Sequence, residues 1–142
     1  QRFIPAIEAF NYILYKYPES NNIYTAKIWR EKTNMRLGND AVVLKNIRLL
    51  LKKTEKDLDK QTYADAHALL AEAFLNLEQK DSAISRLRLA TKFTQKDEEE
   101  ARYKFILGQL FESIEEKDSA FAYYQSVIDM KRKSLNLIIS FL

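Results

Sequence analysis

Apolar residues recur three and four positions apart along most of the chain, the spacing that places side chains on one face of a helix. Leu70, Ala71 and Phe74 share one such face, and Ala83, Leu87 and Ala90 share another. Val43, Leu44, Ile47, Leu50 and Leu51 form a third, and Ala6, Phe10 and Ile13 a fourth. The pattern predicts helices over 4–17, 21–37, 40–56, 61–78, 81–94, 98–115 and 118–131, with a further one beginning near 134. Pro5 suits a first helical turn, and the acidic run Asp97–Glu100 suits the positive end of a helix dipole. Asp40, Asp81 and Asp118 stand where a carboxylate could cap free amides.

The pattern repeats. Lys80-Asp81-Ser82-Ala83-Ile84 returns 37 residues later as Lys117-Asp118-Ser119-Ala120-Phe121. Under the same shift Ala64, Leu70, Phe74 and Glu78 fall on Ala101, Leu107, Phe111 and Glu115, while Ala71 falls on Gly108 and Leu87 on Tyr124. Small residues stand where two helix axes must approach: Ala71 or Gly108 on the first helix, Ala83 or Ala120 on the second. Larger residues fill the space beside them.

These residues resemble the tetratricopeptide (TPR) pattern. Leu70-Ala71, Phe74, Ala83, Leu87 and Ala90 fit it, as do Leu107-Gly108, Phe111, Ala120, Tyr124 and Val127. The resemblance implies an all-α, right-handed solenoid of antiparallel helix pairs, with seven or eight helices in a single domain over 1–142. Residues 1–18 would be the second helix of a partial repeat, 21–56 a degenerate repeat, 61–94 and 98–131 two good repeats, and 134–142 the start of a further helix. The second-helix marks Ala6, Val43, Ala83 and Ala120 are 37, 40 and 37 residues apart, against about 34 in the family. In a solenoid each repeat buries its face only against the next. The apolar first and last segments therefore lead to the expectation of a fragment of a longer protein.

Composition narrows the function. Two glycines and two prolines in 142 residues suit long helices with short loops. A net charge of +3 from 23 basic and 20 acidic residues gives no broad cationic field for nucleic acid. The absence of cysteine removes disulfides, thiolate metal sites and cysteine nucleophiles. No phosphate loop, nucleophile elbow or zinc-protease motif occurs. The expectation is therefore no enzyme activity, no cofactor and no metal. His67, the single histidine, is read as a packing residue. Trp29 is read as filling the irregular unit, with anchoring of a partner as the alternative. Lys45, Arg48, Lys52, Lys53 and Lys56 are read as a solvated face, with contact to an acidic partner or anionic lipid as the minority reading.

The TPR resemblance also implies where a partner protein or peptide binds. The concave groove is lined by the first helix of each unit. Its usual positions fall on Asp65, Ala68, Glu72, Leu75 and Asn76, then on Arg102, Phe105, Gln109, Glu112 and Ser113. These should be exposed, while Leu70, Phe74, Leu107 and Phe111 should be buried. Asp65 and Glu72 stand where a carboxylate clamp would need cations, so no clamp is expected. The groove reads as mildly acidic, with Arg102 and Phe105 as anchors.

Four stretches carry a narrower resemblance: Ala6-Ile7-Glu8-Ala9-Phe10-Asn11-Tyr12, Tyr17-Pro18-Glu19-Ser20-Asn21, Ala26-Lys27-Ile28-Trp29-Arg30-Glu31-Lys32-Thr33-Asn34 and Phe105-Ile106-Leu107-Gly108-Gln109-Leu110-Phe111. They look like the large TPR lipoproteins of gliding Bacteroidota. This implies a scaffold in type IX secretion and gliding motility, periplasmic and outer-membrane associated, with a lipid anchor outside these residues. Cytoplasmic residence stays open, and so do two other readings: a nucleic-acid-binding helical repeat and a spacer without a ligand of its own.

Overall fold

The computed structural model describes residues 2–20, 22–54 and 56–141. Seven helices occur among them and no strand: α1 (Phe3–Lys16), α2 (Ile23–Arg36), α3 (Asp40–Thr54), α4 (Lys60–Asn76), α5 (Lys80–Phe93), α6 (Asp97–Ser113) and α7 (Lys117–Ser140). Asn21, Glu55 and Leu142, which the expected helices include, lie outside the described residues. Helices pack on their neighbours in chain order, and α2 also meets α4. That is the connectivity of a solenoid built from the pairs α2/α3, α4/α5 and α6/α7, with α1 ahead of them.

The core runs through the stack as two clusters. Val43, Ile47, Leu70 and Phe74 anchor one between α2, α3 and α4, closed by Ala83 of α5. Ala71, Leu87, Leu107, Phe111 and Ala120 anchor the other between α4, α5, α6 and α7. The four small residues at the predicted close approaches, Ala71, Ala83, Gly108 and Ala120, are all buried. Helix α1 buries no residue.

Two expectations fail at helix ends. Residues 131–136 contain neither glycine nor proline, and α7 runs through them without a break to Ser140. The separate helix expected from 134 is the continuation of α7. Nor are Asp40, Asp81 and Asp118 caps. Each lies inside the first turn of its helix, where its charge still favours the dipole. Among the described residues Asp59 does cap a helix, accepting the Thr62 amide at 2.7 Å. That bond holds the Asp59 carboxyl below the usual carboxylate range.

The hairpin loops explain the shift. Helix α4 ends in a left-handed residue, Glu78 (φ 60°). The Gln79 amide then bonds back to the Phe74 carbonyl at 2.8 Å, and the Glu78 amide to Leu75 at 3.0 Å. This double closure leaves one linking residue before α5. The same pair of bonds closes α6 at Glu115 (φ 64°) and α2 at Gly38 (φ 81°). Only the last has the residue suited to that conformation. Glu78→Gly and Glu115→Gly should each raise the unfolding free energy by about 0.5–1 kcal/mol. Urea titration measures it, and both side chains are exposed, so no buried contact confounds the result.

Candidate protein-binding groove

The first helices of the three pairs, α2, α4 and α6, line two adjoining cavities. One of about 430 Å³ lies between α4 and α6 and includes Asp65, Ala68, Glu72, Leu75 and Arg102. The other, about 780 Å³, lies towards α2 and includes Trp29, Thr33, Arg36, Asn76 and Phe3. Lys32, Leu69, Glu72 and Arg102 line both, which makes them one groove.

Six of the ten expected groove residues, Asp65, Ala68, Glu72, Leu75, Asn76 and Arg102, therefore line this surface. Asp65, Ala68 and Leu75 are half-buried in it rather than exposed. Phe105, Gln109, Glu112 and Ser113 are exposed but line neither cavity. They lie on the last first-helix of the stack. Phe105 instead rests near the Tyr124 ring (5.6 Å between centroids), and Glu112 accepts from the Tyr124 hydroxyl. Leu70, Phe74, Leu107 and Phe111 are buried as expected.

The α2 wall was not foreseen. Trp29 does not fill the irregular unit: it is 53% exposed at the groove, with the Lys32 ammonium 4.5 Å from its ring centroid. The residue that fills the unit is Glu31, 1% exposed. Glu31 occupies the place that Ala71 and Gly108 hold in the following pairs. Its carboxylate accepts from Arg30 Nε at 2.8 Å and from the side-chain amides of Asn34 and Asn46 at 2.9 Å each. Arg30 in turn donates to Asn11 Oδ1 at 3.0 Å, which ties α1 to α2. A buried carboxylate persists only when its oxygens are satisfied, and this one joins α2 to α3 where the later pairs use small-residue contact. The signal in the sequence is a glutamate at a small-residue position.

The far wall is fixed by a second polar network. Gln61 donates to Asp65 Oδ1 and to Glu99 Oε1, both at 2.9 Å, and its own carbonyl accepts the Gln95 amide at 2.7 Å. Thr94 also donates to Glu99. The α5–α6 linker is thereby pinned to the start of α4. Burial raises the Asp65 carboxyl above its ordinary value, against the hydrogen bond from Gln61.

His67 lies behind the groove wall and is 2% exposed. Its ring packs on Tyr63 with centroids 4.4 Å apart, and Nδ1 lies 3.4 Å from the Arg86 guanidinium. Burial, then the Arg86 charge, lowers its pKa to about 4. Nδ1 faces a donor, so the proton of the neutral ring belongs on Nε2, a buried atom with no hydrogen-bond partner among the described residues. This is a packing histidine.

Lys45, Arg48, Lys52, Lys53 and Lys56 are exposed, and Arg48 covers the Phe74 ring at 5.1 Å. No cluster of three or more histidines and carboxylates placed to hold a metal ion occurs among the described residues. No described helix is long and apolar enough to cross a membrane.

No family model and no curated protein matches the sequence. Solved structures do. A crystal structure of MamA aligns at a TM-score of 0.70 and 25% identity, over 92% of this chain and 69% of that one. A MamA RS-1 ArsTM double mutant aligns at 0.72 and 20% identity, over 94% and 68%. A further MamA structure gives 0.69 and 24%, over 92% and 65%. The chain thus has the fold of these TPR-like helical solenoids.

Proposed function

We propose that the chain is a protein-interaction scaffold that holds a partner segment along the groove of α2, α4 and α6. One observation carries this reading: the two cavities join across three stacked helices into a single open trough with shared walls. Polar networks tie both of its walls to neighbouring helices, which lowers the entropy lost on binding. The rest of the chain supplies the spacing between successive first helices. Among the described residues no acid, base and nucleophile converge.

The finer reading places the scaffold at the outer membrane, facing the periplasm, as an accessory of type IX secretion and gliding motility. The stretches 6–12 and 26–34 support it by their resemblance to the TPR lipoproteins of gliding Bacteroidota. In-cell photo-crosslinking tests both levels. With p-benzoylphenylalanine at Glu72 or Arg102, a partner adduct should form, and with the same group at Ser85, on the outer layer of the stack, it should not. A partner resident in the cell envelope supports the finer reading, and adducts with cytosolic proteins alone contradict it. Adducts from Ser85 alone overturn the groove itself.

A further inference from the structure

The geometry points to a preference of this groove for acidic segments: its α2 end is a subsite for the carboxylate side chains of an extended peptide. This rests on the groove reading above and adds the chemistry of the ligand.

The cavity nearest α2 is lined by three cations, Lys32, Arg36 and Arg102, and by one carboxylate, Glu72. The three cations come from two different helices. None of them forms a salt bridge among the described residues, whereas Arg30 and Lys104 do. Lys32 lies against the face of Trp29 and Arg102 against the ring of Tyr103, 5.4 Å from its centroid. Such contacts orient a cation without neutralising it. Cations that share one concave wall repel each other, and an incoming anion relieves that repulsion.

The shape selects a chain over a small anion. The trough stays open along α2, α4 and α6, and its apolar floor includes the exposed Trp29 beside the more deeply buried Leu69 and Met35. An occupant must cover apolar floor and cationic wall together. An extended peptide with aspartate or glutamate beside an apolar or aromatic residue does both. Beyond the shared Arg102 and Lys32 the trough continues past Asp65 and Glu99. That end favours the opposite charge, so the bound segment has a polarity: acidic towards α2, neutral or basic towards the start of α6.

The test uses the intact chain and a displayed library of random linear peptides flanked on both sides by fixed Gly/Ser, so that no free C-terminus is offered. Trp29 is the single tryptophan, and its emission reports binding at the α2 end directly. The enriched peptides should be rich in Asp and Glu beside an apolar residue, and should shift Trp29 emission. Raised salt should weaken them. Lys32→Glu/Arg36→Glu should reduce their affinity roughly tenfold or more, while Glu72→Gln should preserve or increase it. Neutral or basic peptides that bind the groove and ignore Lys32→Glu/Arg36→Glu would overturn the acidic subsite and leave the groove standing. Peptides that bind without any dependence on Glu72, Arg102, Lys32 or Arg36 would overturn both.

Discussion

Glu31→Ala should lower the unfolding free energy by about 2–4 kcal/mol, more than loss of any single surface contact. The reason lies in what remains. Truncation removes the shared acceptor of three half-buried donors, the amides of Asn34 and Asn46 and the Arg30 guanidinium, which then face one another across the space the carboxylate held. Glu31→Gln is the sharper variant. It keeps the volume but turns one acceptor into a donor that faces donors, so it should still cost roughly 1.5–3 kcal/mol. A urea titration measures both. If glutamine proved harmless, the carboxylate would not be the joint between α2 and α3.

Acidification should destabilise the fold through His67. Its folded pKa is lowered to about 4, below its ordinary value of 6.5. The unfolded chain therefore binds the proton more readily. The contribution of neutral His67 is complete above pH 6.5 and is lost as the pH falls from 6.5 towards 4. The loss amounts to roughly 3 kcal/mol across that window. His67→Leu removes both the titration and the orphaned Nε2 donor. The difference between wild-type and variant unfolding curves should grow as the pH falls. Parallel curves from pH 7 to pH 4 would show that His67 is not buried in its neutral form.

The sequence displays its repeats where physics makes them periodic. Leu70, Phe74, Leu107 and Phe111 had to face inward once their helices paired, so spacing alone located them. Ala71, Ala83, Gly108 and Ala120 were legible because few other residues fit at a close helix crossing. Glu31 was hidden because a glutamate at such a position reads as surface until its partners Asn34 and Asn46 are seen around it. Its disguise also concealed the groove wall beside it. Without repeat marks on α2, the groove positions could be carried only onto α4 and α6; Lys32 and Arg36 were missed, and Trp29 stood only as an alternative anchor. The caps at Asp81 and Asp118 were misread for another reason. The double closure at Glu78 and Glu115 starts the next helix one residue earlier than the aspartate suggests. Gln61 binds Glu99 across 38 residues, and no local pattern signals such a contact.

The stack depends on a match between small and large residues at each helix crossing, and Gly108 offers the most direct measurement of that match. A Cβ at Gly108 would come within 2.7 Å of Tyr124 Cδ1. The Tyr124 ring is held by Phe105 and by its bond to Glu112. The preceding pair solves the same crossing with Ala71 and Leu87, both buried. Gly108→Ala should therefore destabilise by about 1–2 kcal/mol, even though alanine favours the helix. Combined with Tyr124→Leu, which recreates the Ala71/Leu87 pairing, it should cost far less, with a coupling of about 1 kcal/mol or more in the double-mutant cycle. A Gly108→Ala protein at least as stable as the wild type, with strictly additive effects in the cycle, would contradict the packing on which the whole solenoid is built.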